Sequence, residues 1–163
     1  MSLIINNTVL SNFAFVDRLD LLKNIFQKAY LTPEVYREVE EGIRDGYEFQ
    51  ERTRKTMEAQ EWLILTEPNQ RELDLCRSIL LRLGSGEASC LAIAKGRNWL
   101  FLTDDLDARK TAIQLDVRIS GTIGVLRIAV EQELIPIEEA NRLLHSMIDN
   151  GYFSPISDLS LLL

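Results

Sequence analysis

Only one histidine, His145, and two cysteines, Cys76 and Cys90, occur in 163 residues. Two cysteines are too few for a disulfide framework, and neither belongs to a CxxC pair. A single histidine excludes histidine-rich metal centres and confines any Ser-His or Cys-His catalysis to that one residue. No apolar run approaches the roughly 18–20 residues of a membrane helix. The first cation is Arg18, so the N-terminus lacks the basic stretch of a secretory signal. The sequon-like Asn6-Asn7-Thr8 is therefore set aside. Repeats, low-complexity segments and Gly/Ser/Pro linkers are missing too; the eight glycines and four prolines fall between periodic segments. These absences predict a soluble, cytoplasmic protein with no membrane partner. Its length fits a single domain spanning residues 1–163, since domains commonly run to about 100–200 residues.

A cationic excess is lacking as well. The 18 basic residues face 25 acidic ones, a net charge of −7. Generic polyanion binders carry the opposite excess, because neutralising phosphates drives their binding. Nucleic-acid chemistry survives this test only if the acids are concentrated in one place and a metal offsets them there. With 46% hydrophobic and 26% charged residues, the composition is that of a globular chain and excludes wholesale disorder.

What is present is an alternation. Leu3 to Asn6, Ala29 to Thr32, Trp62 to Leu65, Trp99 to Thr103 and Val117 to Ile119 are short apolar runs that read as buried strands. Between them lie helical patterns over Thr8 to Phe15, Arg18 to Phe26, Thr32 to Asp45, Glu48 to Gln60, Asn69 to Leu81, Ala88 to Lys95 and Asp104 to Leu115. Two more follow, over Gly121 to Glu133 and Ile137 to Ile148. Thr32-Pro33 supplies an N-cap and a proline at the first helical position. The apolar tail, Tyr152 to Leu163, reads as a short strand or helix docked on the body. Short strands alternating with amphipathic helices predict an α/β fold of three layers, a central parallel sheet covered by helices on both faces.

Open α/β sheets place their sites at the C-terminal ends of strands. Asn6 ends the first strand, and Asp104 and Asp105 end the fourth. Glu38 lies one turn into the helix after the second strand, and Glu87 lies in the first turn of its helix. Oxygen ligands converging without histidine or cysteine suit Mg²⁺ or Mn²⁺. Each residue also has a plainer reading. Asp104 or Asp105 caps a helix, Glu38 sits on a solvated face with Glu34, Glu40 and Glu41, and Glu87 favours a helix dipole.

Other residues divide the same way. Arg52, Arg54 and Lys55 form either a solvated face, diluted by Glu48, Glu51 and Glu58, or a backbone contact. Arg109 reaches a phosphate or pairs with a carboxylate. Gly84-x-Gly86 lacks the rest of a phosphate loop and reads as a tight turn into a helix. Cys90, Trp62 and Trp99 read as core, and His145 as a partly exposed structural residue.

The chain resembles the PIN-domain proteins, metal-dependent ribonucleases that include the VapC-type toxins. Ile4-Ile5-Asn6-Asn7-Thr8-Val9-Leu10 is similar to the family's opening strand, where Asp-(Thr/Ser)-x-Val-Leu is usual. Pro33-Glu34-Val35-Tyr36-Arg37-Glu38 is similar to the motif of the second acid. Leu83-Gly84-Ser85-Gly86-Glu87-Ala88-Ser89 and Leu102-Thr103-Asp104-Asp105 resemble the third and fourth motifs. Ser120-Gly121-Thr122-Ile123-Gly124-Val125-Leu126 is similar to a segment of an uncharacterised PIN-like subgroup. The resemblance covers residues 3–150, with the motifs in order.

It implies that Glu38, Glu87, Asp104 and Asp105 hold Mg²⁺ or Mn²⁺ and, with Asn6, form the catalytic set. Thr8 would orient position 6, and Arg109 would meet the substrate. The implied activity is hydrolysis of RNA phosphodiester bonds, with a small basic antitoxin as protein partner and a homodimer as assembly. Asn6 departs from the expected aspartate: it keeps a neutral oxygen ligand but loses a charge. The alternative is therefore a PIN-like module with weak or absent catalysis that binds nucleic acid or protein.

Overall fold

The computed structural model describes residues 2–163. The chain alternates strands β1 (Leu3–Ile5), β2 (Ala29–Leu31), β3 (Leu63–Leu65), β4 (Leu100–Leu102) and β5 (Ile119–Ser120) with helices. After β1 come α1 (Asn7–Phe15) and α2 (Leu19–Phe26); after β2, α3 (Pro33–Arg44) and α4 (Gln50–Ala59). After β3 come α5 (Gln70–Ile79) and α6 (Ser85–Arg97); after β4, α7 (Leu106–Gln114). The helices α8 (Thr122–Glu131) and α9 (Ile137–Asp149) follow β5, and a 3₁₀ turn, Leu159–Leu162, ends the chain. All pairings are parallel, in the order β3-β2-β1-β4-β5. Helices cover both faces of this sheet, giving the expected three-layer α/β architecture. No described helix is long and apolar enough to cross a membrane.

Local chemistry sets the helix starts. Thr32 accepts the Val35 N–H and Pro33 occupies the first position of α3. Asn69 and Glu72 close a reciprocal capping box on α5. Asp105 accepts the Ala108 N–H at the start of α7. Helix α6 is buried on every side from Ala88 to Ala94, with Ser89 its one polar residue there, because it runs beneath β1 and β4 in the middle of the protein.

Several boundaries differ from those expected. β1 stops at Ile5 because Asn6 turns out of the sheet to cap α1, its side chain accepting the Thr8 N–H. The last strand is Ile119–Ser120 rather than Val117 to Ile119, since the pairing with β4 runs from Phe101 to Leu102. The tail docks through one buried leucine, Leu159, in its 3₁₀ turn. Trp62 is buried just before β3. Trp99 is not core: it lies half-buried at the edge, against Tyr30 (ring centroids 4.7 Å apart) with Arg97 4.9 Å over its ring.

The order of strands matters most for function. β1 lies in the centre, with β2 on one side and β4 on the other. Neighbouring strands are about 4.8 Å apart, so residues that follow β2, β1 and β4 meet along one rim although they are distant in sequence.

Candidate active site at the C-terminal rim of the sheet

Asn6 stands at the end of the central strand and is buried. Its Nδ2 donates to Thr103 Oγ1 at 2.6 Å, across to the strand-end of β4. Its Oδ1 accepts from the Thr8 hydroxyl at 2.6 Å and from the Thr8 N–H at 3.2 Å. The two hydroxyls are themselves tied to the next segment: Thr8 Oγ1 accepts the Asp104 N–H and Thr103 Oγ1 accepts the Asp105 N–H. The amide thus links the turn after β1 to the turn after β4, with every polar atom of its side chain paired.

On the β2 side, α3 carries Glu38 to the start of α6. That helix begins at Gly84, which has no side chain to cap it. Glu38 instead accepts the Gly86 N–H, capping α6 from a neighbouring helix. A Cβ on Gly86 would overlap the Glu38 carboxylate. Close approach, rather than the tight turn expected for Gly84-x-Gly86, is why glycine stands there. Burial raises the Glu38 pKa from 4.5 to about 7, with the Glu87 and Glu41 charges adding to it and the Gly86 N–H opposing it. Beneath the pair, Cys90 is fully buried with its thiol toward the Ile5 carbonyl, and burial pushes its pKa well up.

On the β4 side, Asp104 is held by three donors. Its Oδ1 accepts the Thr122 N–H at 2.9 Å; its Oδ2 accepts the Thr122 hydroxyl at 2.5 Å and Asn12 Nδ2 at 3.1 Å. Burial raises its pKa, opposed chiefly by Thr122, Arg109 and Asn12. Arg109 donates through Nη1 to the Thr103 carbonyl at 2.8 Å. A Cβ on Gly121 would overlap Asp104 and press on the Thr103 carbonyl, so the close passage of β5 past β4 requires glycine there. Tyr152, from the tail, reaches Asp104; its hydroxyl pKa rises through burial and the Asp104 charge. Asp104 separates two clefts of about 510 and 450 Å³, both walled by Tyr152 and Phe153.

The rim therefore carries Glu38 with Glu87 at one side of Asn6, and Asp104 with Asp105 at the other. Among the described residues, no three Asp, Glu, Cys or His side chains come together as a group ready to hold a metal. The Glu38–Glu87 pair does fit a hard divalent cation. It offers only oxygen donors, and a cation would relieve both the burial that chiefly raises the Glu38 pKa and the Glu87 charge that adds to it. Mg²⁺ is often held by one or two carboxylates, with water and phosphate completing its shell. In this conformation Asp104 is committed to Thr122 and Asn12, and Asp105 to capping α7.

Some residues were not singled out from the sequence. Thr103, Asn12 and Tyr152 all hold the acids in place. Asn12 lies one helical turn from Thr8, a spacing that puts both on one face. Tyr152 carries no such signal, because only the tertiary fold brings the tail to β4. Asn7 Oδ1 and Glu34 Oε2 are buried at this rim without hydrogen-bond partners. Conversely, the Arg52 to Lys55 surface is largely absorbed by the fold. Arg52 donates to the Ala14 and Phe15 carbonyls and pairs with Asp17; Arg54 pairs with Glu51 and Glu58. His145 bonds the Ser157 carbonyl, far along α9.

Comparison with known proteins bears on the family and the fold. A sequence family described as PIN domain matches residues 2–162. No curated protein matches the chain by sequence. Among solved structures, the fold is similar to a chain of VapBC2 from Rickettsia felis, bound to a DNA fragment from their promoter. That match has a TM-score of 0.52 at 10% identity, over 74% of this chain and 98% of that one. It is also similar to a chain of VapBC-1 from nontypeable Haemophilus influenzae, with a TM-score of 0.52 at 12% identity and the same two coverages.

Proposed function

The chain belongs to the PIN-domain family, and on that premise we propose that it is a Mg²⁺- or Mn²⁺-dependent ribonuclease, the toxin half of a toxin–antitoxin pair. The observation that carries this reading is the Glu38–Glu87 pair beside Asn6. Burial, reinforced by the Glu87 charge, makes the Glu38 carboxylate hard to ionise, and a cation held by the two acids would relieve it. Glu38 and Glu87 would hold the ion. When bound, it supplies a lowered pKa for an attacking water and charge stabilisation for the leaving oxygen. The chain's own groups do the rest. Asn6, fixed by Thr8 and Thr103, presents a neutral oxygen of set direction. Asp104 is held ready by Thr122 and Asn12, and joins the acids at the rim together with Asp105. Arg109, anchored on the Thr103 carbonyl, places a guanidinium where it meets a substrate phosphate.

The similarity to VapBC structures supports a second protein as partner, and we take it to be a small basic antitoxin, complementary to the net charge of −7. It also supports a homodimer, for which exposed Leu161 and Leu163 offer apolar surface. The assay is cleavage of single-stranded RNA with Mn²⁺ or Mg²⁺. Cleavage by the wild type, its loss in Glu87→Gln and its increase in Asn6→Asp are expected.

The pairing of every polar atom of Asn6 favours a second reading, a binding module with weak catalysis. RNA bound but left intact with either metal, in the wild type and in Asn6→Asp alike, decides for it.

A further inference from the structure

Glu38 and Glu87, assigned above to the ion, do not line the larger cleft beside Asp104. It is about 510 Å³ in volume and lies between α7, β5, α8 and the C-terminal tail. Its wall is mainly apolar, with Ile119, Ile123 and Leu162 among its lining, and Arg109 and Arg127 stand at it. Phe153 also lines it and is 88% exposed. A benzyl group left that open beside two cations and an apolar wall is unusual on a surface with a large acidic excess. Arg109 uses one nitrogen on the Thr103 carbonyl, and Arg127 uses Nε on Glu131. The smaller cleft, on the other side of Asp104, is lined by Asp105 and Asp107 with no cation. Of the two clefts beside Asp104, only the larger therefore has guanidinium N–H groups left to meet a phosphate.

An aromatic face plus arginines is the chemistry that recognises unpaired nucleotides: bases stack on the ring while guanidinium groups meet the backbone. We propose that this cleft is the subsite for one unpaired base of a single-stranded RNA, stacked on Phe153, with its phosphate at Arg109 and Arg127. The inference rests on the ribonuclease reading and gives it a direction. The strand leaves the carboxylate rim over β4 and β5, toward the tail. A base in a duplex has no free face for Phe153, so the substrate class is single-stranded.

The test is binding of fluorescein-labelled hexa-adenylate to the full-length protein in chelator, followed by anisotropy. Phe153→Ala is expected to weaken binding roughly ten- to hundredfold, the usual size of a lost base stack. Phe153→Trp is expected to keep it, with the introduced indole quenched on RNA addition. Arg127→Gln is expected to weaken it and flatten its salt dependence. Phe153 is exposed, so its variants should fold as the wild type does, which circular dichroism checks. Unchanged affinity in Phe153→Ala, or an RNA duplex that competes as well as the single strand, overturns the proposal. So does a fall in mass from dimer to monomer in Phe153→Ala with RNA affinity unchanged, because the cleft then covers a second copy of the chain. Cleavage keeps the two readings apart: the ribonuclease reading fails if the wild type leaves bound RNA intact with Mn²⁺, whereas the subsite is judged by binding without metal.

Discussion

The pH dependence of stability follows from Glu38. Its pKa lies at about 7 in the fold against 4.5 for an ordinary glutamate. Between these values the native state holds a proton that the unfolded chain has released. Stability is therefore greatest below about pH 4.5, falls as pH rises toward 7, and levels off above it. At about 1.36 kcal/mol for each pH unit, the difference sets a ceiling of about 3.4 kcal/mol. Glu38 is partly exposed, so solvent screening reduces this to about 1–2 kcal/mol. In a chain of this length that is roughly 3–6 °C in melting temperature.

The control is Glu38→Gln, whose amide oxygen still accepts the Gly86 N–H but cannot ionise. The difference in Tm between wild type and variant, followed from pH 5 to 8.5 by differential scanning calorimetry, isolates this one group. Asp104, also raised by burial, contributes the same sign to both proteins and cancels. Glu87→Gln should narrow the window without abolishing it, because burial outweighs the Glu87 charge as the cause. Mn²⁺ should oppose the decline, since it binds the ionised form. Parallel pH profiles for wild type and Glu38→Gln would refute the argument.

Three further outcomes are expected. Gly86→Ala drives a Cβ into the Glu38 carboxylate, the end of a flexible side chain that swings aside; urea unfolding should show a change below about 1 kcal/mol, the better helix propensity of alanine offsetting the displaced contact. Asn6→Asp adds a negative charge to the rim. It should lower the Tm of the metal-free protein at neutral pH and enlarge the rise caused by Mn²⁺, with Thr103 turning its hydroxyl to donate where it now accepts. Arg97→Met leaves Glu72, which is 2% exposed, without the guanidinium that holds it at 2.9 Å. Chemical denaturation should show a loss of about 3 kcal/mol, and RNA cleavage should be untouched.

The strands were legible because each lies in or beside a short, mainly apolar run, buried most fully in the central β1 and β4. Their ends were less so. Asn6 reads equally as the last residue of a strand or the first cap of a helix, and only the partner at Thr103 decides. Trp99 reads as core by its hydrophobicity, yet the edge position beside Tyr30 and Arg97 leaves it half-buried. Arg52 reads as a free cation, but α4 packs against α1 and brings it to the Ala14 and Phe15 carbonyls at the end of that helix. At the site, the acids could be named from their place after strands. The trans-capping of α6 by Glu38 could not, because the missing cap at Gly84 is visible in sequence but the helix that supplies it is not.

The bond from Asn6 to Thr103 spans 97 residues. The pairing of β1 with β4 that brings them together closes a loop of most of the chain, and long closures of this kind are slow steps in folding. No local segment, and no fragment lacking either end of that loop, contains the whole rim. The complete rim should then appear only with the final, cooperative phase of refolding, after most helical signal has returned. On the proposed ribonuclease reading, a nascent chain still short of β4 would be unable to cut RNA while it remains on the ribosome.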